Sequence, residues 1–446
     1  MKLLAFWQLK LISMRVVTGI LCGFLVAASA MADQTLPEDT NTITTLSPEA
    51  AKALAQHKGW LLSLGGLTTL SDEAAKALAE HTAVLSLNGL TTLSDEAAKA
   101  LAQHKGPLSL NGLTTLSDEL AKALEQYEGY SLYLNGLTTL SPEAAKALAQ
   151  HKGDLYLNGL TTLSDEAAKA LAQHEGWLGL NGLTTLSDEA AKALGQYEGY
   201  SLGLGGLTTL SDEAAKAIAQ HKGSLDLNGL TTLSPEAAKA IAQHKGGRLS
   251  LDGLTTLSDE AAKALAQHEG WLSLNGLTTL SDEAAKALAQ HEGPLSLNGL
   301  TTLSDELAKA LEQYKVGLSL NGLTTLSDEA AKALAQHKGW LCLDGLTTLS
   351  PEAAKALAES KAWNGYLPNI TAFETPEAVA VADALAKRKG QLILRNLKRV
   401  SPKTLTALLK KKDIELPPLD TLEFIPEPDD SYTGDFVLPD DWPQKR

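Results

Sequence analysis

Residues 108–129 read LSLNGLTTLSDELAKALEQYEG. Leu108-Ser109-Leu110 alternates with period two, which puts both leucines on one face of a short strand and Ser109 on the other. Asn111-Gly112 follows. In the equivalent segments the first of these two places holds Asn, Asp (Asp252, Asp344) or Gly (Gly65, Gly205). Those residues tolerate a left-handed backbone, so a bend is predicted there. Ser117 is a good N-cap. The next place holds Asp in most segments and Pro at Pro48, Pro142, Pro235 and Pro351, both favoured in a first helical turn. Glu119 stands three residues before Lys122, within pairing range. The Ala-rich run then predicts a helix of about three turns, closed by Gly129 as its C′ residue.

The segment is one of many. Thr-Thr-Leu-Ser occurs fourteen times, with its serine at Ser47, Ser71, Ser94, Ser117 and onward to Ser350, always 23 or 24 residues apart. A regular period of that length predicts a stacked solenoid rather than a compact domain. One repeat cannot bury its own leucines, so neighbours must cover them. The fold class expected is α/β: a strand–helix solenoid whose Leu-x-Leu strands form a parallel sheet with helices behind it. About sixteen repeats at roughly 4.8 Å each would make a sheet near 80 Å long. The extra residue of the longer steps, those ending at Ser71, Ser141, Ser211 and Ser258, falls at the helix-to-strand corner. Gly106–Tyr127 recurs unchanged as Gly293–Tyr314, which points to recent duplication.

The Leu-x-Leu strand with a later leucine, as in Leu85, Leu87 and Leu90, resembles the leucine-rich repeat family in a bacterial secreted form. The resemblance covers residues 44 to about 412. It departs at one place: the family's asparagine, three residues after the second strand leucine, is here Leu90 or Leu113, and the asparagine column lies two residues earlier. The resemblance implies binding of proteins or glycans through the sheet face.

The N-terminus reads as an export signal. Arg15 precedes an uncharged run, Val16 to Ala32, that ends in Ala28-Ser29-Ala30 and Ala30-Met31-Ala32. Residues 1–32 are read as signal peptide, 33–362 as the repeat array, 363–412 as degenerate capping repeats and 413–446 as an acidic, Pro-rich tail. Removing Lys2, Lys10 and Arg15 takes the net charge from -15 to -18. Only Cys342 remains after cleavage, so no intrachain disulfide can form. Secretion, or a periplasmic or cell-surface location, is expected, with no stable membrane insertion after cleavage. Nucleic acid is not expected as the partner of an exported acidic chain. Residues 387–412 nonetheless carry ten basic side chains and no acid, while 413–446 carry ten acids, so the tail can fold back on the basic stretch.

Function is less constrained than architecture. All ten histidines, from His57 to His337, fall in one column, which Tyr127, Tyr197 and Tyr314 fill elsewhere. Tyr substitutes for packing but poorly for metal ligation, so the column is read as packing, with no metal or cofactor. Every Ser and His has copies in helix-capping positions, which argues against a catalytic constellation. The Thr-Thr pairs are read as bonding locally, with an ice-binding ladder as a remote alternative. The outward strand place is mostly serine but holds Tyr133 and Tyr156. Just before or at the strand stand Trp60, Trp177, Trp271 and Trp340. These six aromatics are the candidate ligand-binding residues, since large aromatics supply the anchors of most interfaces. The expected role is an exported non-enzymatic scaffold for a protein or glycan ligand; the rival is a structural or surface-layer scaffold with no specific ligand.

Overall fold

The computed structural model describes residues 39–426. The proposed signal peptide and most of the acidic tail lie outside the described residues. Thirteen strands, from Leu61–Ser63 to Leu341–Cys342, form one parallel sheet in chain order, each pairing with the next. Leucine pairs with leucine along the stack, as in Leu85 with Leu108 and Leu108 with Leu132. Twelve steps of about 4.8 Å make this sheet about 58 Å long. It is shorter than the expected sheet because it ends after Cys342.

Each strand leads to a helix one layer behind, beginning at the predicted serine. Ser117 Oγ accepts the Leu120 N–H at 3.0 Å and starts the helix Asp118–Leu124. The same cap opens Pro142–Leu148, where Pro142 takes the first helical place. The N-terminal Asp does more than favour the helix dipole. Ser94 Oγ donates to Asp72 Oδ1 at 2.5 Å and Ser281 Oγ to Asp259 Oδ1 at 2.5 Å. The first-turn carboxylate of one repeat therefore ties down the cap of the next, a bond that Pro cannot make.

The core lies between the sheet and the helices. Leu85, Leu87 and Leu90 are fully buried, as are Ala97, Ala98 and Leu101 of the following helix. Burying one such leucine stabilises the fold by about 2 kcal/mol. Buried alanines such as Ala308 and Ala330 line the helix–helix seams and let adjacent helices approach closely.

Two expectations about glycine are corrected. Helices such as Asp118–Leu124 span seven residues and stop five residues before Gly129, so that glycine is not a C′ residue. The bend glycines have no left-handed backbone either: among the described glycines only Gly365 has positive φ. Contact is what excludes a side chain. A Cβ on Gly112 would lie 2.3 Å from the Asn88 carbonyl oxygen, and one on Gly176 would lie 2.0 Å from that of Gly153.

The asparagine column has its own role. Asn88 Oδ1 accepts the Asn111 N–H at 3.0 Å, Asn111 Oδ1 that of Asn135 at 2.8 Å, and Asn135 Oδ1 that of Asn158 at 3.0 Å. The residue is selected by a ladder of side-chain acceptors climbing the stack.

After Cys342 the pattern changes. The worn helix starts lead to Ala378–Ala386, which has no side-chain cap, and Pro402–Leu409, capped by Ser401. Arg388 is a structural cation that donates to the carbonyls of Ser360 and Trp363 and lies 4.7 Å over the Trp363 ring. The beginning of the acidic stretch continues the stack. Ile414–Glu415 pairs with Leu392–Ile393, and Glu423–Phe424 with Arg399–Val400. Glu415 binds Arg395 at 2.5 and 3.0 Å, while Arg399 binds Glu374 and, at 3.2 Å, Glu423.

Candidate functional site

The outer face of the sheet is mostly a closed polar net. Ser86, Ser109, Ser250, Ser273, Ser296 and Ser319 are all buried, although they face away from the leucines. Their hydroxyls turn to the neighbouring ladder: Ser109 Oγ donates to Asn88 Oδ1 at 2.6 Å and Ser319 Oγ to Asn298 Oδ1 at 2.7 Å. These groups satisfy one another and have little left for a ligand.

Aromatic residues interrupt the net in one place. Tyr133 and Tyr156 are register partners on adjacent strands, and their rings stack at 4.2 Å. Trp177, on the next strand, continues the row at 4.3 Å from Tyr156. The indole bends over Gly179, where a Cβ would come within 2.3 Å of the ring. The three side chains are half-buried and form one contiguous strip. Burial and the nearby Tyr133 push the Tyr156 hydroxyl well above its usual range.

The remaining candidates separate from this strip. Trp271 and Trp340 approach to 6.0 Å across the intervening Pro294 and Gly317 places, and Arg248 lies 5.3 Å over the Trp271 ring. Trp60 stands alone at the first strand and is 78% exposed. A one-residue difference explains its isolation. Trp60, Tyr130 and Tyr200 are the extra residues of 24-residue repeats; their carbonyls accept N–H groups of the following strand, while their side chains turn outward at the corner. Trp177, Trp271 and Trp340 instead lead directly into their strands. Tyr200 is held by a hydrogen bond from its hydroxyl to Asp154, whose Oδ1 also accepts the Trp177 N–H at 3.2 Å.

Two contributors next to the strip carry no side chain and were missed from the sequence. Gly179 and Gly203 are register partners, and Gly203 pairs with Asp226 on the following strand. Gly179 makes room for the indole, and Gly203 for the Asn181 amide, whose Oδ1 lies 2.9 Å from where a Cβ would stand. The signal was present as the substitution of Gly for Ser in two consecutive repeats. Asp226 is half-buried, and burial is the main reason its carboxyl sits above the usual range; Asp252 adds to the rise.

The histidine column lies away from this face, at the end of the helices. His81, His104, His151, His174, His221, His244, His268, His291 and His337 are buried, and only His57 at the open end is exposed. Rings stack in succession, with His244 and His268 at 5.7 Å and His268 and His291 at 6.1 Å. Both ring nitrogens of His104, His174 and His291 are buried without a partner of hydrogen-bond geometry. Desolvation lowers the pKa of His104, His151, His174, His221, His291 and His337, and takes His244 and His268 down to about 4. The tyrosines in the column donate their hydroxyls to backbone carbonyls, Tyr127 to Gly106 and Tyr314 to Gly293. The Thr-Thr pairs differ from expectation: both threonines of each array repeat are exposed, and only Thr68 and Thr347 make a side-chain hydrogen bond among them.

No family model matches the chain. No curated protein matches it either. Among solved structures, the Leptospira interrogans leucine-rich repeat protein LIC12759 is similar at 20% identity and a TM-score of 0.37, over 84% of this chain and 98% of that one. A chain of the Drosophila Toll–Spatzle complex is similar at 13% identity and a TM-score of 0.44, over 75% of this chain but only 42% of that one. No helix among the described residues is long and apolar enough to cross a membrane. The Leu-x-Leu strands, the thirteen-stranded parallel sheet and the helix that follows each of its strands make this chain a leucine-rich-repeat-like α/β solenoid.

Proposed function

We propose that this protein is an exported, non-enzymatic repeat scaffold that binds a protein partner through the Tyr133–Tyr156–Trp177 strip of its sheet face. The strip carries the reading. It is the place where three consecutive strands replace small, mutually satisfied residues with large half-buried aromatics in contact with one another. Such rings combine apolar area with polar edges and lose little side-chain entropy on binding, the properties of interface anchors. The helices offer less, since they repeat one Ala, Lys and Glu surface with little variation.

The test uses the protein's own consensus. Tyr133→Ser and Tyr156→Ser restore the serine found at the same place in most repeats, and Trp177→Ser matches Ser201 and Ser224. The triple variant should keep its melting temperature within a few degrees. It should also lose at least tenfold in affinity for extracellular proteins that the wild type cross-links and enriches. Equal capture by both would end the reading. Export is tested separately: N-terminal sequencing of the protein from its native source should begin near Asp33, and an intact Met1 or Met14 in a membrane fraction would contradict it.

Glycan binding is the second reading, favoured by Trp60, whose exposed ring could lie against a sugar. In the strip the ring faces are turned on one another, which leaves edges rather than a flat platform.

A further inference from the structure

We infer that the helix-to-strand corner between Glu175 and Lys338 binds the same corner of a second copy of the chain, antiparallel, about a two-fold axis that passes between Lys245 and Glu269. The contact is separate from the aromatic strip, since Tyr133 and Tyr156 lie outside this stretch. It is carried by the residue that follows each buried histidine or tyrosine of the column. From Glu175 to Lys338 that residue is glutamate or lysine in eight successive repeats, and every one of them is exposed. Its surroundings hardly change. Gln150-His151-Lys152-Gly153 and Gln173-His174-Glu175-Gly176 differ in nothing but the charge. The fold accepts either sign there, so folding alone does not set the order of signs.

That order is two acids, two lysines, two acids, two lysines. Like charges on neighbouring repeats repel, so strict alternation would suit a lone stack better. Within the chain only Glu198 and Lys222 of the eight form an ion pair, at 4.0 Å, and the other six make none. Read backwards, however, the order is its own complement. In the antiparallel arrangement Glu175 faces Lys338 of the second copy, Glu198 faces Lys315, Lys222 faces Glu292 and Lys245 faces Glu269. The two-fold repeats each contact, so all eight charges of each copy meet an opposite charge. One step further out, Lys152 would meet Lys361, which bounds the contact at eight repeats.

The shape of a stack allows this. The corner is a side of the solenoid, with the sheet to one hand and the helices to the other. A two-fold axis along the radius at the middle of an arc turns that side onto itself in reverse order, so in-plane curvature does not interrupt the pairing. Seven steps of roughly 4.8 Å give a seam about 34 Å long. The same axis sets the corner of Trp340, whose indole is 42% exposed, against that of Trp177, which adds apolar area at both ends of the seam. Ion pairs this exposed are individually weak. Held in one register they make a reversible, salt-sensitive dimer.

The experiment is sedimentation equilibrium of the full chain at about 0.1 M salt, where a screening length of about 10 Å damps the repulsion between two acidic chains but spares pairs in contact. The wild type should dimerise below about 100 µM, and about 1 M salt should weaken the dimer at least tenfold. Two double variants test the register. Lys222→Glu with Lys245→Glu makes the centre of the seam acidic, and Glu269→Lys with Glu292→Lys makes it basic. Both use residues the column already holds, so circular dichroism and melting should stay close to wild type. Each double variant alone should be monomeric, because its central pairs become like-charged. Mixed in equal amounts, the two should form a heterodimer at least as tight as the wild-type dimer, since the antiparallel register sets every acid of one centre against a lysine of the other. Lys105→Glu, outside the seam, should dimerise like wild type. A wild type that stays monomeric at about 100 µM, a double variant that dimerises alone, or a mixture that stays monomeric overturns the assignment.

Discussion

Asp226 Oδ1 takes the backbone N–H of Asn228 at 3.0 Å, a bond that in most repeats comes from the repeat before. The substitution follows from Gly205, which leaves the asparagine ladder without an acceptor at that step. A side chain two residues away in the next strand fills the gap. Asp226→Ala should therefore orphan the Asn228 N–H and cost about 1–2 kcal/mol. Asp226→Asn should cost under half of that. Chemical denaturation of the two variants, compared at their midpoints, checks the ordering.

Close backbone approach, rather than helix or turn chemistry, predicts which glycines resist change. Gly112→Ala places a Cβ 2.3 Å from one carbonyl oxygen and 2.4 Å from another, both backbone atoms of the preceding repeat. It should destabilise by about 3 kcal/mol. Gly247 has nothing within 4 Å of the same position, so Gly247→Ala should be neutral or stabilise by about 0.5 kcal/mol. Equal effects in thermal melts would contradict the explanation.

Serine caps should divide into two classes. Ser281 both caps its helix and donates to Asp259, whereas Ser258 follows Pro235 and caps only its own helix. Ser258→Ala should cost about 1 kcal/mol, and Ser281→Ala about 0.5–1 kcal/mol more. Pro235→Asp should add the missing link and raise stability in wild type but not in Ser258→Ala.

The histidine column predicts acid lability. The unfolded chain takes up protons as the pH falls through 6.5, while the buried imidazoles do not, because desolvation holds them neutral. Stability is therefore complete above pH 6.5 and declines as the pH falls toward about 4, where His244 and His268 ionise in the folded state. Each of these two contributes a loss of about 3 kcal/mol. Asp154 beside His151 and Glu269 beside His268 soften the effect locally. Replacing His244 and His268 with Tyr, which Tyr127 shows the column accepts, should flatten the decline between pH 6.5 and 4. Melting curves across that range would show an unchanged slope if the column were not responsible.

Much of this architecture can be read from one repeat. Leu108, Leu110, Leu113 and Ser117 declare strand, core and helix start through side-chain period and capping chemistry alone. Asn111 and Gly112 could not be read correctly in isolation, because what selects them is the previous turn of the stack: an N–H awaiting an acceptor and a carbonyl too close for a methyl. The aromatic site follows the same rule. Trp60 and Trp177 look alike in sequence, each a tryptophan after a glycine. One extra residue at the corner throws Trp60 outward, while Trp177 enters the strand and lies over Gly179. Tyr133 and Tyr156 become a strip only through a register in which the 24-residue step has already been absorbed.

The cross-repeat ties, Ser94 to Asp72, Asn111 to Asn88 and Tyr127 to Gly106, each span 21–23 residues. Within the thirteen-stranded sheet each strand is tied only to its immediate neighbours, so tension applied along the stack loads its contacts in series. Repeats should detach one at a time at a similar force, each releasing about 80 Å of slack. Between a fixed attachment and a moving partner, such a chain would act as a ratcheted tether that lengthens in steps and recoils, rather than a link that holds until it breaks.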